Sequence, residues 1–244
     1  MISVCVATYN GEKFIKEQLQ SILSQLSEND EVIVSDDGST DSTCQIVENM
    51  NDKRITLLHT CVHDCRFNFQ NALMHAKGDI IFLSDQDDVW LENKVKICVE
   101  ELKTYDLVAT NSMETDEHLN VINPDFFKNY NSGPGIIKNA LVSTYYGSCM
   151  AFRATLLKYA LPFPKTKEIG HDQWLGLVAE MTGRVKFVKT PYLLYRRHEN
   201  TETNSNSNLL TRSKRSLWAK IRSRFVVFHH IISFKLKKTK VILA

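Results

Sequence analysis

Ile80-Ile81-Phe82-Leu83-Ser84-Asp85-Gln86-Asp87-Asp88-Val89-Trp90 runs four apolar residues directly into three carboxylates. Bounded by Gly78 and that polar cluster, Ile80 to Leu83 reads as a strand buried on both faces, as in a parallel sheet covered by helices. Ligands of open α/β sheets bind beyond the carboxyl ends of the strands, which is where Asp85, Asp87 and Asp88 fall. Carboxylates this close repel one another unless a cation lies between them. Oxygen donors with no adjacent Cys or His suit Mg²⁺ or Mn²⁺, ions that often accompany a phosphate-bearing substrate. The competing reading is a solvated acidic turn ahead of a helix. Position decides between them, because a second acidic cluster follows an earlier strand in the same way.

That earlier strand is Glu31 to Ser35, and it ends in Asp36-Asp37-Gly38-Ser39-Thr40-Asp41. Ser42 and Gln45 have the spacing of a capping box for the next helix, and Gly38 permits a tight turn. Capping leaves two acids before the Gly unexplained, where a carboxylate can accept from a base N–H or a ribose hydroxyl. Before it, Ile2 to Ala7 reads as a first strand, followed by Thr8-Tyr9-Asn10 and by a helix whose face is Phe14, Leu19, Ile22, Leu23 and Leu26. Tyr9 in that turn either stacks on a base or packs under the chain. Ile55 to Leu58 is a third strand. His59, Cys61, His63 and Cys65 beyond it would share one face if extended, a pattern compatible with a soft metal, but no C-x-x-C pair supports it. Arg66 next to them is a phosphate or base contact, or else a solvated loop Arg.

Helical spacing of Phe69, Ala72, Leu73 and Ala76 closes on Lys77-Gly78 before the central strand. After it come a helix through Val95, Val99 and Leu102 and a short strand from Leu107 to Thr110. Asn111 to Gly135 is polar and irregular, as in a substrate loop. Gly147 to Phe152 reads as a strand or site wall, and Ala154 to Tyr159 as a short helix. Asp172 stands in Gly170-His171-Asp172-Gln173-Trp174-Leu175 at a helix start, where capping and the macrodipole already favour an acid. Val185 to Val188 and Tyr192 to Tyr195 read as two short strands, the second delivering Arg196-Arg197-His198.

The 244 residues, 43% of them hydrophobic, suffice for one α/β domain with additions, and no internal repeat is visible. A strand-like start leaves no room for a cleavable signal peptide, and six scattered cysteines suit a reducing compartment, so the cytoplasm is expected. From Thr211 to Ala244 there are ten Lys or Arg and no Asp or Glu, leaving the preceding 210 residues at a net −8. The expected division is therefore an α/β domain over 1–208, in halves 1–110 and 111–208, and a basic amphipathic helical tail over 209–244. Leu217, Trp218, Ile221, Phe225, Phe228 and Ile232 form one stripe of that tail, with Arg212, Lys214, Arg215, Lys220, Arg222 and Arg224 crowding its first half. Such a helix is too short in apolar length to span a bilayer but suits an anionic surface on the cytoplasmic face of the inner membrane; packing on the domain or dimerisation is the alternative. An acidic body argues against nucleic acid as partner.

Taken in order, Ala7-Thr8-Tyr9-Asn10, Asp36-Asp37-Gly38-Ser39-Thr40-Asp41, Asp85-Gln86-Asp87-Asp88, His171-Asp172 and Arg196-Arg197-His198 resemble the motif set of the inverting nucleotide-sugar glycosyltransferases of family 2. The resemblance covers roughly the first 200 residues. It implies a GT-A fold, a Rossmann-like, mostly parallel central sheet flanked by helices, and a nucleotide-sugar donor with Mn²⁺ or Mg²⁺. By that likeness Ala7, Tyr9 and Asp37 line the nucleobase pocket, Asp85 faces ribose and metal, and Asp87 holds the ion on the diphosphate. Asp172 matches the general base, His198 a metal or diphosphate contact, and Arg196 or Arg197 a phosphate contact. The family often has an acid where this chain has His171. Relatives with such a Ser-Asp-Gln-Asp-Asp-Val-Trp segment resemble enzymes of bacterial surface polysaccharide assembly that use UDP-hexoses or dTDP-rhamnose and a glycan or lipid-linked acceptor. A sugar nucleotidyltransferase should begin with a Gly-rich, Arg-containing phosphate loop, and an oxidoreductase with G-x-G-x-x-G; neither is present. A non-catalytic sugar-nucleotide-binding protein has no need of both Asp87 and Asp172.

Overall fold

The computed structural model describes residues 1–198 and 216–242. The expected boundary at 208 and the residues Arg212, Lys214 and Arg215 lie outside the described residues. Four parallel strands form the first half of the sheet: β1 (Ile2–Thr8), β2 (Glu31–Asp36), β3 (Ile55–His59) and β4 (Ile80–Ser84), in the order β3-β2-β1-β4. Val4, Val6, Val32, Val34, Phe82 and Leu83 are fully buried, as continuous apolar strands demand when both faces are covered. Helix α1 (Ile15–Leu23) lays Ile15, Leu19 and Ile22 on one face, and α3 (Cys65–His75) packs Phe69, Ala72 and Leu73 on the other. Because β1 leads to β2 on one side and β4 closes on the other, the chain changes direction across the sheet between β1 and β4. Their carboxyl ends flank the crevice where such sheets bind ligands.

Beyond β4 the sheet is mixed, continuing β8 (Met150–Arg153), β6 (Leu107–Thr115), β9 (Val185–Arg196) and β5 (Val89–Trp90), with β7 (Val121–Asn123) on β6. Two expectations are corrected here. Asn111 to Thr115 is largely buried strand rather than loop, because polar partners from other elements satisfy it: Glu114 accepts from Asn123, Tyr130 and Arg197. The two short strands expected near the end are one, β9, broken in register at Pro191, which has no N–H for the ladder; there Asn111 Nδ2 donates to the Lys189 carbonyl at 2.8 Å. The capping box is also absent. Ser42 makes no side-chain cap, and Asp41 instead accepts from the Thr43 N–H and hydroxyl ahead of α2 (Thr43–Asn49).

Helix α8 (His171–Thr182) buries Leu175, Leu177, Val178 and Ala179. Against it lies α9 (Leu217–Ile242), with Val227 and Ile231 buried and Phe234 and His230 meeting the Trp174 ring edge-on. The tail helix thus carries a second apolar face that the single-stripe reading lacks. Packing on the domain holds for that face, while Trp218, Phe225 and Ile232 of the expected stripe point outward. Among the described residues, no helix is long and apolar enough to cross a membrane.

Candidate active site

A cavity of about 1260 Å³ opens at the carboxyl ends of β1 and β4. Its wall includes Ala7, Tyr9, Asp37, Arg66, Asp85, Asp87, Asp172, Arg196 and His198, so nine of the ten expected site residues meet there; Arg197 does not.

At the β1 end, the turn after Thr8 is held in place by Gln86. Its side chain accepts from the Tyr9 N–H at 2.9 Å and donates to the Tyr9 carbonyl at 3.0 Å. A Cβ at position 11 would come within 2.3 Å of the Gln86 amide oxygen, so Gly11 makes room for this clamp. The Tyr9 ring is about half exposed over the cavity, not packed under the chain. Asp36 and Asp37 have different tasks. Asp36 is structural: burial pushes its carboxyl up, but hydrogen bonds from Ser39, Thr8 and Cys44 outweigh that and hold it below the usual range. Asp37, also buried, receives three backbone N–H groups, from Val62 (2.6 Å), His63 (3.0 Å) and Asp64 (3.0 Å). A carboxylate has about four lone-pair sites, so one acceptor site remains after those three.

At the β4 end, Asp85 Oδ2 accepts from the Ser148 hydroxyl at 2.5 Å, and Asp87 Oδ2 meets His198 Nε2 at 2.8 Å. Two carboxylates and an imidazole delivered by β4 and β9 are a donor set that suits Mn²⁺, or Mg²⁺ with water completing its shell. Asp88 faces inward instead. It is fully buried, accepts from the Arg196 N–H at 3.0 Å, and burial, then the Asp87 and Asp85 charges, push its carboxyl well above the usual range.

The arginines behave differently from the phosphate contacts expected of them. Arg196 is buried and donates to the Asp87 carbonyl (2.7 Å), the Glu117 carbonyl (2.6 Å) and the Glu17 carboxylate (2.5 Å), with its guanidinium over the Phe14 ring. Arg197 turns to the other face of β9 and pairs with buried Glu114 at 2.6 Å. Successive residues along an extended chain point to opposite sides, and of the two arginines only Arg196 lines the cavity. Arg66 lines the cavity but grips Asp64 with two donors and the Thr166 carbonyl with a third. Lys167, exposed on the rim, is a cation the sequence reading passed over. So is Lys94, fully buried beneath the acids, where its ammonium donates to the Ser148 carbonyl at 2.5 Å and lies over the Trp90 ring. Nothing in its sequence context distinguishes it from the exposed lysines of a helix.

Asp172 is not the cap of α8; Gly170 is, and Asp172 sits in the first turn with its Oδ1 accepting from the Gln173 N–H at 2.6 Å. A Cβ on Gly170 would come within 2.6 Å of that oxygen. Beside it His171 stacks on Phe69 with ring centroids 4.3 Å apart, and its buried Nε2 has no hydrogen-bond partner among the described residues. The expected extended His/Cys face does not form, since β3 ends at His59 and α3 begins at Cys65. His59 instead lies near Asp36 and Cys44, their ligand atoms within 4.8 Å, but Asp36 already accepts from Thr8, Gly38 and Ser39.

A parallel half-sheet, acids at successive strand ends and a mixed second half define the GT-A class, and solved structures of that class match it. Residues 3–160 match the family model for glycosyl transferase family 2, to which the chain belongs. It is 28% identical to a putative glycosyltransferase, EpsH, of Bacillus subtilis (81% of this chain, 61% of that one) and 26% identical to the dTDP-rhamnosyl transferase RfbG of Shigella flexneri (86% and 77%). The chain thus spans under two thirds of the length of EpsH. Staphylococcus aureus TarS 1–349 in complex with UDP-GlcNAc superposes with a TM-score of 0.67 at 25% identity, over 84% of this chain and 61% of that one. The mannosyltransferase PcManGT of Pyrobaculum calidifontis, in complex with GDP-Man and Mn²⁺, gives 0.59 at 26% identity (78% and 54%).

Proposed function

We propose that the protein is an inverting glycosyltransferase that moves a sugar from a UDP-hexose or dTDP-rhamnose to a hydroxyl of a glycan or lipid-linked acceptor in bacterial surface polysaccharide synthesis. The observation that carries this reading is one cavity joining Asp37, the Asp85/Asp87/His198 set and Asp172. Asp37 retains an acceptor site suited to the imide N–H of thymine, the base of the dTDP in the name of RfbG, or of uracil, the base of the UDP-GlcNAc in the TarS complex. Asp85, Asp87 and His198 would hold Mn²⁺ or Mg²⁺, as the PcManGT complex supports. A divalent ion there supplies Lewis acidity to the departing diphosphate. Asp172 accepts the proton of the acceptor hydroxyl as its oxygen attacks the anomeric carbon and the bond to the diphosphate oxygen breaks. Attack from the face away from the leaving group inverts the centre, the logic that divides glycosidases. Arg196 acts on the site through the Asp87 backbone rather than by touching phosphate.

Hydrolysis and transfer assays over a panel of nucleotide-sugars with Mn²⁺ test the reading. Asp87→Ala should abolish metal-dependent turnover with the fold intact; full activity of that variant in EDTA would overturn it. Asp172→Asn should lose several orders of magnitude in kcat while donor affinity changes little, because the base acts on the acceptor. A collapse of donor affinity instead would assign Asp172 to donor binding.

A further inference from the structure

Helix α9 docks through Val227, Ile231 and Phe234, and the opposite side of the same helix is exposed and mostly apolar, with His229 a polar residue along it. Trp218, Phe225 and Ile232 are 80%, 72% and 57% exposed. Seven-residue steps drift only about 20° around a helix, so these three form one line, and exposed Leu236 extends it. Arg222 flanks the line on one side, Arg224 and Lys235 on the other. Helix α6 (Ile136–Leu141), which contacts α9, leaves Ile137, Leu141 and neighbouring Val142 exposed.

We infer that this face is the membrane-docking surface of the protein, and that its partner is an anionic bilayer. Bulky apolar side chains bordered by Lys and Arg are the pattern of a helix lying in the headgroup boundary, where long basic stems reach back to the surface. Charge selects the partner. Arg222, Arg224 and Lys235 border the stripe in a stretch, Thr211 to Ala244, whose sequence holds no acid, so two copies meeting there would set like charges against each other. An anionic lipid surface attracts each of them. Placement gives the contact a use. Arg222 bonds Glu168 at 2.9 Å, three residues before His171 and four before Asp172, so docking α9 brings the proposed base's loop to the bilayer. That use rests on the lipid-linked acceptor proposed above; the docking itself does not.

Vesicle binding is read without substrate, so it fails or succeeds separately from the catalytic reading. Trp90 and Trp174 are buried and Trp218 is exposed, so the intrinsic emission reports on the stripe. With phosphatidylglycerol-containing vesicles the full chain should co-sediment and its emission shift to the blue, with binding at least tenfold weaker to pure phosphatidylcholine. Phe225→Glu with Ile232→Glu, both facing away from the docked side, should weaken binding at least tenfold without moving the thermal midpoint. If that double variant misfolds, Trp218→Phe serves instead, and the blue shift should vanish with it. Absence of vesicle binding, equal binding by the charged double variant, or self-association in lipid-free solution that this variant abolishes would each overturn the inference, the last assigning the stripe to a second copy.

Discussion

His171 stands where family relatives often carry an acid, and its surroundings make it a neutral imidazole. Burial lowers its pKa, against the opposing pull of Asp172. Its folded value therefore lies below the unfolded value of about 6.5. Between those two values the unfolded chain binds more protons, so stability rises with pH there and falls as pH drops below about 6.5. Replacing His171 by Gln should flatten the thermal midpoint profile as pH falls below about 6.5. An unchanged slope would mean that other groups set it. Phe69, whose ring stacks on this imidazole, arrives from α3, far away in sequence, so the burial that lowers its pKa could not be read from the chain. Asp85, Asp87 and Asp172 were legible because a strand end or helix start fixes where such residues emerge. The inward turn of Asp88 was not, because it depends on the later arrival of Arg196.

At the scale of elements, β6 and β9 decide the second half of the site. Their long parallel pairing runs from Leu107 and Val185 to Thr115 and Arg196, and its far end carries His198 to Asp87. Glu114 and Arg197 pair on the side away from the cavity. Burial pushes the Glu114 carboxyl up, but donors from Asn123, Arg197 and Tyr130 outweigh it and hold it below the usual range. The stability linked to it is present above the unfolded value of about 4.3 and is lost as pH falls through the folded one. Removing one partner of such a pair strands the other charge, at a cost of about 3–5 kcal/mol. Arg197→Ala should therefore lower the thermal midpoint sharply, while nucleotide-sugar affinity of the folded fraction stays near that of the parent. Loss of affinity at unchanged stability would instead place Arg197 in the site. The strand was hidden at 111–115 because hydrophobic periodicity registers apolar burial and is blind to polar residues buried against partners elsewhere in the chain.

On the scale of the whole molecule, α9 belongs to the fold and faces outward at once. Val227 and Ile231 close the core over α8, and an Ile-to-Ala truncation at such a site costs about 2–5 kcal/mol. Ile231→Ala should thus destabilise the protein in thermal or urea unfolding, whereas Phe225→Ala should change stability by less than about 0.5 kcal/mol. Equal effects of the two would contradict the two-faced arrangement. The sequence by itself determined the alternation of strand and helix, the order of the acidic strand ends and the basic tail, because each is written in local periodicity and charge. Only the tertiary structure decided which face of the tail docks, which arginines are spent holding backbone, and that one cavity gathers residues from position 7 to position 198. Those outcomes depend on which side chains meet across long separations, and local pattern carries no information about that meeting.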